Sequence, residues 1–131
     1  MDSRIILEDV HTSGDASQFQ VKITLRYQDK IARSKLEGRE ANSTEIIAQA
    51  TLDAIRQYFE GYEFRVQNVN IMKVNTHEIV IVLVHIKHEE IGLEGFEQAG
   101  IAIGREDLHL AIARATLNAL NRIIGRFTFR A

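Results

Sequence analysis

Apolar and polar residues alternate without a break through residues 19–28. The apolar positions are Phe19, Val21, Ile23, Leu25 and Tyr27. The residues between them are polar or charged, so successive side chains would point to opposite faces of an extended chain. A period of two over a segment of this length predicts a β-strand with one face on a core and the other face in water.

Weaker patterns on either side predict two partners for this strand. Residues 4–11 predict a first strand, and residues 12–17, which contain Ser13-Gly14-Asp15, predict a turn. Asp29-Lys30 predicts a hairpin turn, and residues 31–38 predict a third strand. Because consecutive strands joined by short turns pair with one another, the three together predict an antiparallel sheet.

A helical pattern follows the third predicted strand. Asn42 can cap the helix, and Glu45 lies three positions later, where a capping box places its acidic residue. Gly61 is typical of a helix C-terminus. The apolar stripe between these signals consists of Ile47, Ala50, Thr51, Ala54, Ile55 and Tyr58. These signals predict a helix that packs one face on the sheet.

The second half of the chain predicts the same order of elements. Residues 62–74 predict a strand with a bulge, and Asn75-Thr76 predicts a turn. The apolar residues 79–86 predict a central strand buried on both faces, and residues 91–103 predict its partner. Asp107 predicts the cap of a second helix, and Gly125 its end. The predicted apolar stripe of this helix consists of Leu108, Ile112, Ala115, Ala119 and Ile123. Residues 126–130, which contain Phe127 and Phe129, predict a short edge strand or a segment that docks on a partner.

Short sequence blocks in the two halves repeat in a fixed order. The clearest is Ala50-Thr51-Leu52-Asp53-Ala54-Ile55, which returns in the second half as Ala115-Thr116-Leu117-Asn118-Ala119-Leu120. Two weaker blocks are residues 29–32 with 89–92 and residues 8–10 with 67–69. Such self-similarity indicates a duplicated supersecondary unit. The prediction is an α+β domain of two βββα units, residues 1–61 and 62–131, with antiparallel sheets and both helices packed on one face.

Composition and charge exclude several classes of function. The chain has 131 residues, a net charge of −2 and no cysteine, so one domain without disulfides or thiolate chemistry is expected. Its N-terminus lacks a signal-peptide pattern and its longest apolar run is too short for a bilayer, which predicts a cytoplasmic protein with no membrane partner. A βββα unit also describes the double-stranded RNA-binding domain, but the helix starts are neutral to acidic, so no nucleic acid is expected.

No catalytic or metal-binding constellation emerges from the sequence. The closest histidines, His85 and His88, would point to opposite faces of a strand, and His-Glu-x-x-His is absent. His109 is expected at the surface, and His11 and His77 in turns. The serines lack a Gly-x-Ser-x-Gly setting. We expect no enzyme activity, no cofactor and no metal, with a loop site at His88, Glu89 and Glu90 as the one alternative.

Glycines precede both predicted helices, where backbone N–H groups can bind an anion. In the first half this segment runs from Gly38 to Asn42, and in the second it includes Gly95, Gly100 and Gly104. Neither segment has the spacing of a dinucleotide fingerprint or a P-loop. The alternative interpretation is that these glycines only form turns and bulges.

The second predicted helix also resembles a known family. Its ending, from Ala115 to Arg122, has the form Ala-x-x-Asn-Ala-Leu-Asn-Arg. This segment is similar to the last helix of the regulatory domain of the 2-isopropylmalate synthase and citramalate synthase family, and residues 50–55 fit that domain's earlier helix. The resemblance implies two βββα units, dimerisation, and a branched-chain amino acid bound at the interface near the loops before the helices.

Transferred to this chain, the implied ligand-binding residues are Gly38, Ala41, Asn42, Gly100, Ala102, Gly104 and Asp107. A chain of 131 residues has no room for the family's catalytic barrel, so no aldol-type catalysis is implied. The expected function is therefore a non-catalytic domain that forms a homodimer or higher homo-oligomer and binds a small carboxylate or a branched-chain amino acid. The alternative is an interaction module that partners a larger enzyme.

Overall fold

A computed structural model describes residues 4–15, 17–89, 95–104 and 107–124. The predicted order of three strands and a helix occurs twice along the chain. The elements are β1 (Ile6–Gly14), β2 (Phe19–Tyr27), β3 (Lys30–Gly38), a short 3-10 helix (Glu40–Asn42), α1 (Ser43–Arg56), β4 (Tyr62–Val74), β5 (His77–His88), β6 (Phe96–Gly104) and α2 (Leu108–Asn121). The strands form two antiparallel sheets in the orders β1-β2-β3 and β4-β5-β6. The α+β prediction of two βββα units is confirmed.

The strand register shows that the two units are alike in detail. In the first sheet Leu7 lies opposite Leu25, and in the second Val66 lies opposite Val84, so Leu7 corresponds to Val66 and Leu25 to Val84. The register shifts directly after Leu7 and again directly after Val66. The predicted bulge in β4 is confirmed, and it has a counterpart at the same place in β1. A shared irregularity is stronger evidence of duplication than shared alternation, which many strands show.

The third strands correspond differently from what the sequence blocks predict. Ala32 lies opposite Leu25, and Gln98 lies opposite Val84, so Ala32 corresponds to Gln98 and not to Gly92. The predicted correspondence of residues 29–32 with 89–92 is therefore wrong. The extra length lies in the connection between β5 and β6, whereas β2 and β3 are joined by the short turn Gln28–Asp29.

The buried apolar residues of both halves form one cluster. The alternating side chains of β2 (Phe19, Val21, Ile23 and Leu25) are all buried, as are the even-numbered residues of β5 from Val80 to Ile86. The predicted helical stripes of α1 and α2 lie against these strands, and the buried positions of the two helices correspond. Thr51 and Thr116, which occupy equivalent positions, each bond the carbonyl four residues earlier at 2.8 Å. This bond explains how a hydroxyl is tolerated in the core.

Each helix joins the two halves. Helix α1 packs on β2 and β3 of its own sheet and on β4 of the other, while α2 packs on β5 and β6 and on β1. The helices also contact each other. Both helices thus cover the inner faces of the sheets, as predicted, and the outer faces are left uncovered by the described part of the chain.

Several predicted boundaries are wrong. β1 extends through residues 12–14, which were predicted as a turn, because these residues pair with β2 up to Phe19. His11 therefore lies in a strand, as does His77, which starts β5. The predicted turn at Asp29-Lys30 lies one residue earlier, since Lys30 already pairs with Tyr27. β6 starts at Phe96, and the predicted strand residues 91–94 lie outside the described residues.

The helix ends also differ from their predictions. Asn42 occupies the N-cap position of α1 without a side-chain capping bond, because it ends a 3-10 turn in which its own N–H bonds Arg39 O at 2.9 Å. Helix α1 ends at Arg56, and Gly61 instead supplies a left-handed backbone (φ 80°) just before β4. In α2 the predicted cap is confirmed, since Asp107 accepts from Leu110 N at 3.2 Å. Gly125 and residues 126–130 lie outside the described residues.

Candidate functional site

The first predicted ligand-binding segment, before α1, is an open surface turn. Gly38 ends β3 beside Ile46, whose Cδ1 atom would overlap a Cβ at Gly38. Ala41 and Asn42 lie on the 3-10 helix, in which no residue is buried. The glycine therefore lets a side chain of α1 approach the end of β3.

The second predicted segment, before α2, contains one glycine that is in tight contact with the helix. A Cβ on Gly100 would overlap the carbonyl oxygen of Ala115, so only glycine allows α2 to lie this close to β6. A Cβ on Gly104 would make an ordinary 3.5 Å contact with Ala111. Ala102 faces the core side of the sheet opposite Val80, and Asp107 caps α2. Of these residues, Ala102 lines a cavity together with residues of the first half of the chain.

That cavity, which we call the β1–α2 cleft, has a volume of about 560 Å³. It lies where the edge of β1 and the edge of β6 face each other across α2. Its charged side chains are Arg4 and Arg114, and its apolar walls include Leu7, Ala102 and Leu117. Among the described residues, no acidic side chain lines it. The sequence prediction missed this cleft, because its walls come from opposite ends of the chain.

Amide side chains of α2 bond the two strand edges beside the cleft. Asn121 accepts from Ile5 N at 2.9 Å and donates to Ile5 O at 3.0 Å. Asn118 accepts from Ile101 N at 3.2 Å, which satisfies an edge group of β6. The two asparagines thus replace a neighbouring strand for each edge, and this explains why β1 and β6 can face each other without joining. Both asparagines belong to the family-like ending of α2.

A matching cleft lies at the corresponding place in the other half. We call it the α1–β4 cleft; its walls include Gln49, Asp53, Arg56, Glu63 and Lys87. Gln49 closes the edge of β4, because it accepts from Val66 N at 3.1 Å and donates to Phe64 O at 3.2 Å. In the helices Gln49 corresponds to Arg114, since each directly precedes its copy of the repeated block. A neutral amide in one cleft is thus replaced by a guanidinium in the other.

The outer face of the β4–β6 sheet is apolar over most of its length. The large apolar side chains on this face, which we call the apolar face, are Met72, Val74, Ile79, Ile81, Leu83, Ile101 and Ile103. The polar residues Asn68, Asn70 and His85 lie on the same side of the sheet. The most exposed of them are Ile101 at 55% and Ile103 at 49%. The prediction that β5 is buried on both faces is therefore wrong for this chain alone, because α2 covers only the side of Val80, Val82, Val84 and Ile86.

The outer face of the β1–β3 sheet, which we call the polar face, has the opposite character. Its central residues are Gln20, Lys22, Thr24, Arg33, Lys35 and Glu37. Two large apolar residues, Ile6 and Ile31, lie at one end of it beside Arg26. Arg26 is paired there with Glu8. The polar face thus has the composition of an ordinary solvated surface.

The histidines do not converge. His85 lies on the outer face of β5 and His88 on the inner side, where its ring is 4.3 Å from that of Tyr62, so the predicted opposite orientation is confirmed. His109 was expected at the surface, but it is half-buried with its ring edge-on to Phe19 at 5.6 Å. In the described ranges no group of three or more His, Asp or Glu side chains is placed to hold a metal ion. Glu90, part of the alternative loop site, lies outside those ranges.

Two titrating groups are shifted by their surroundings. Burial raises the pKa of Tyr58, whose hydroxyl donates to Lys30 O at 2.9 Å. Hydrogen bonds from the backbone and side chain of Ser17 lower the pKa of Asp15, which is fully exposed in a turn. Both groups support local structure, and neither lies in a cleft with a second shifted group of the kind that typifies acid–base catalysis.

A scan of the chain against protein-family models found no match, and a search of curated proteins found none either. Among the helices that the structure describes, none has the length and apolar character needed to cross a bilayer.

Proposed function

We propose that this chain is a non-catalytic domain that forms a homodimer through its apolar face. The observation that carries the proposal is the row of exposed isoleucines in β6 beside the apolar strand β5. Contiguous apolar patches of this kind on a soluble domain mark interaction sites, whereas single exposed apolar residues do not. Since sheets pack face to face at about 10 Å, a second copy of the same sheet is a fitting partner.

The size of the apolar face fits this partner. Three strands about 4.8 Å apart and a central strand of twelve residues give a face of roughly 15 Å by 40 Å, or roughly 600 Å². Stable interfaces bury about 600 to 1,000 Å² on each partner. The area buried on each chain reaches this range only if most of the apolar face packs on the partner. A second copy of the same sheet has the length needed for such a contact.

The charges at one end of this face favour a second copy over a strongly charged partner. They are two acidic and two basic residues, Glu63, Arg65, Lys87 and Glu97. Arg65 bonds Glu63 at 2.8 Å. The face therefore has no net charge from these residues and would not repel its copy, whereas a nucleic acid or a polybasic segment needs a field of one sign.

Light scattering coupled to size exclusion tests this proposal on the wild-type chain. We expect twice the mass of the chain at micromolar concentration, with dissociation on dilution. A single-chain mass throughout that range contradicts the proposal. Co-purification from native extract tests the alternative role as a module that partners a larger enzyme. That role is favoured if the purified chain alone is monomeric and the chain co-purifies from the extract with a second protein.

The second part of the proposal is the ligand that the family resemblance implies. A carboxylate or branched-chain amino acid would lie near the loops before the helices, where backbone N–H groups suit an anion. A thermal-shift screen of amino acids and short carboxylates tests it, since a ligand at 100 times its dissociation constant stabilises by about 2.7 kcal/mol. A rise with leucine, isoleucine or valine supports the role, and an unchanged melting temperature across the panel removes it.

A further inference from the structure

We propose that the β1–α2 cleft is a binding site for a small carboxylate with an apolar tail. This site lies within one chain. It shares Ala102 with the ligand-binding residues that the family resemblance implies, and Ile101 of the apolar face also lines it. The proposal starts from a difference between two clefts that the duplication makes equivalent. In the α1–β4 cleft, Gln49 closes the edge of β4 by bonding Val66 N and Phe64 O.

Arg114, which replaces Gln49 in the β1–α2 cleft, cannot close the edge of β1 in the same way. A guanidinium group has only donors, so it cannot accept an N–H as the Gln49 amide does. The residue of β1 that corresponds to Val66 is Leu7. Its N–H points to the same side as that of Ile5, two residues earlier, which reaches α2. A strand-edge donor and a guanidinium group therefore face the same cavity, and both favour an acceptor.

A second replacement adds charge of the same sign. Arg4 lines the β1–α2 cleft and lies three positions before Leu7, whereas Glu63 lines the α1–β4 cleft and lies three positions before Val66. The described walls of the β1–α2 cleft thus hold two arginines and no acidic residue. Acidic and basic side chains line the α1–β4 cleft together. The duplication supplies an internal reference here: the exchange of Gln49 for Arg114 places an added guanidinium group in one cleft and not in the other.

The size and walls of the cleft indicate the kind of anion. A volume of about 560 Å³ lies within the range of small-molecule sites, which is roughly 300 to 1,000 Å³. The guanidinium fork matches a carboxylate with two parallel hydrogen bonds. Leu7, Ala102 and Leu117 supply apolar walls, against which a short alkyl chain can be buried. A carboxylate that ends such a chain satisfies both parts of the cleft.

Isothermal titration of the wild-type chain with acetate, butanoate and hexanoate tests the site, with hexan-1-ol and inorganic phosphate as comparison probes. We expect affinity to rise by about fourfold for each CH₂ that becomes buried. Hexan-1-ol should bind at least tenfold more weakly than hexanoate. Phosphate binding as tight as that of hexanoate contradicts the apolar part of the proposal, and the absence of any hexanoate binding at millimolar concentration overturns it.

Arg114→Gln is the sharpest variant, because it installs the residue that the other half already has. We expect at least a tenfold loss of hexanoate affinity with an unchanged thermal unfolding midpoint. Arg56→Gln, in the α1–β4 cleft, is the matched control and should bind hexanoate like the wild type. Equal affinity of Arg114→Gln and wild type, or an equal loss in Arg56→Gln, overturns the proposal. Light scattering of both variants measures their mass in solution independently of hexanoate binding. A failure of the carboxylate-site proposal is therefore distinguishable from a failure of the homodimer proposal.

Discussion

The outer faces of the two sheets differ at positions that the duplication makes equivalent. In the middle of the second strand Lys22 of the polar face corresponds to Ile81 of the apolar face, and in the third strand Lys35 corresponds to Ile101. At the end of each face the exchange is reversed, because Ile31 corresponds to Glu97. The pattern of apolar and charged positions is thus inverted between the two faces.

The inner faces show no such inversion. Val21, Ile23 and Leu25 of β2 correspond to Val80, Val82 and Val84 of β5, and all six are fully buried. Each inner face meets a helix of the same chain, so close packing limits it to apolar residues of similar size. An outer face is limited only by what it meets after folding. The two sheets therefore share a fold and differ in the residues of their outer faces, which the proposed dimer would explain. The following variants test that explanation.

The largest effect is expected from moving the residues of the polar face onto the apolar face. In the double variant Ile81→Lys with Ile101→Lys, each dimer would lose four buried isoleucines, each of which contributes about 1.5 to 3 kcal/mol when fully buried. We expect the dimer to dissociate at least 100-fold more readily, as measured by light scattering across a dilution series. Charge reversal on the other side, in Lys22→Glu with Lys35→Glu, is the control and should leave the mass unchanged. If the double variant remains a dimer, the dimer interface does not lie on the apolar face.

A smaller effect, on the free energy of unfolding, is expected where the third strand of each unit packs on its helix. Ser34 of β3 donates to Ala50 O, and the corresponding residue of β6 is Gly100, which lies against Ala115 O. Gly100→Ala would force α2 away from β6, and we expect a loss of about 2 to 3 kcal/mol in the free energy of unfolding. Gly104→Ala, with ordinary contact distances, should change it by no more than about 0.5 kcal/mol. Urea unfolding of the pair checks this, and equal stability of the two variants would contradict the close approach.

The comparison of the two clefts predicts different stability losses for variants of Gln49 and of Arg114. Gln49→Ala leaves the N–H of Val66 and the carbonyl of Phe64 without their side-chain partner, so we expect a loss of about 1 to 2 kcal/mol. Arg114→Ala removes an exposed side chain and should cost less than about 0.5 kcal/mol. Chemical unfolding measures both values. A cost for Arg114→Ala as large as that for Gln49→Ala would mean that the arginine supports the fold.

The smallest effect concerns a titrating residue that only the first half has. Tyr58 corresponds to Ile123 in the alignment of the two repeated blocks, and burial raises the pKa of Tyr58. The folded chain then holds the phenol proton more tightly than the unfolded chain does. The resulting stability is complete below the ordinary tyrosine pKa and is lost as the pH rises through the raised value. Urea midpoints from neutral pH to about pH 11 should fall more steeply for the wild type than for Tyr58→Phe. If the urea midpoints of the two proteins fall equally with pH, the ionisation of Tyr58 does not cause the loss of stability.

Local patterns were sufficient to predict much of the fold. The alternation of β2, the stripes of both helices and the Asp107 cap depend on neighbours in sequence, and each is confirmed. The bulge of β4 was predicted because Val66 and Val69 are out of phase with simple alternation. Whether both faces of β5 are covered could not be predicted from its own residues, because that depends on which element lies over each face.

The cleft and the apolar face were missed for a related reason. Arg4 and Arg114 line one cleft only because α2 packs on β1, and no spacing in the sequence contains that contact. One signal was available, however. Aligning the two helices on their repeated blocks places Arg114 against Gln49, and Ile101 and Ile103 alternate with small residues just before the second helix. The predicted site residues Gly38, Ala41, Asn42, Gly100, Gly104 and Asp107 remain predictions, as does Ala102.

The presence of both units in one polypeptide has a consequence for how far assembly can proceed. A molecule built from two identical units would have the same outer face on both of its sheets. If both faces were apolar, each could bind a further subunit, and assembly could continue without end. Here each chain has one apolar face and one polar face. In the proposed dimer the two apolar faces would cover each other and only polar faces would remain outside, so assembly would stop at a closed pair instead of a filament. Fusion of the two units in one chain would therefore make an exposed apolar sheet compatible with a finite oligomer.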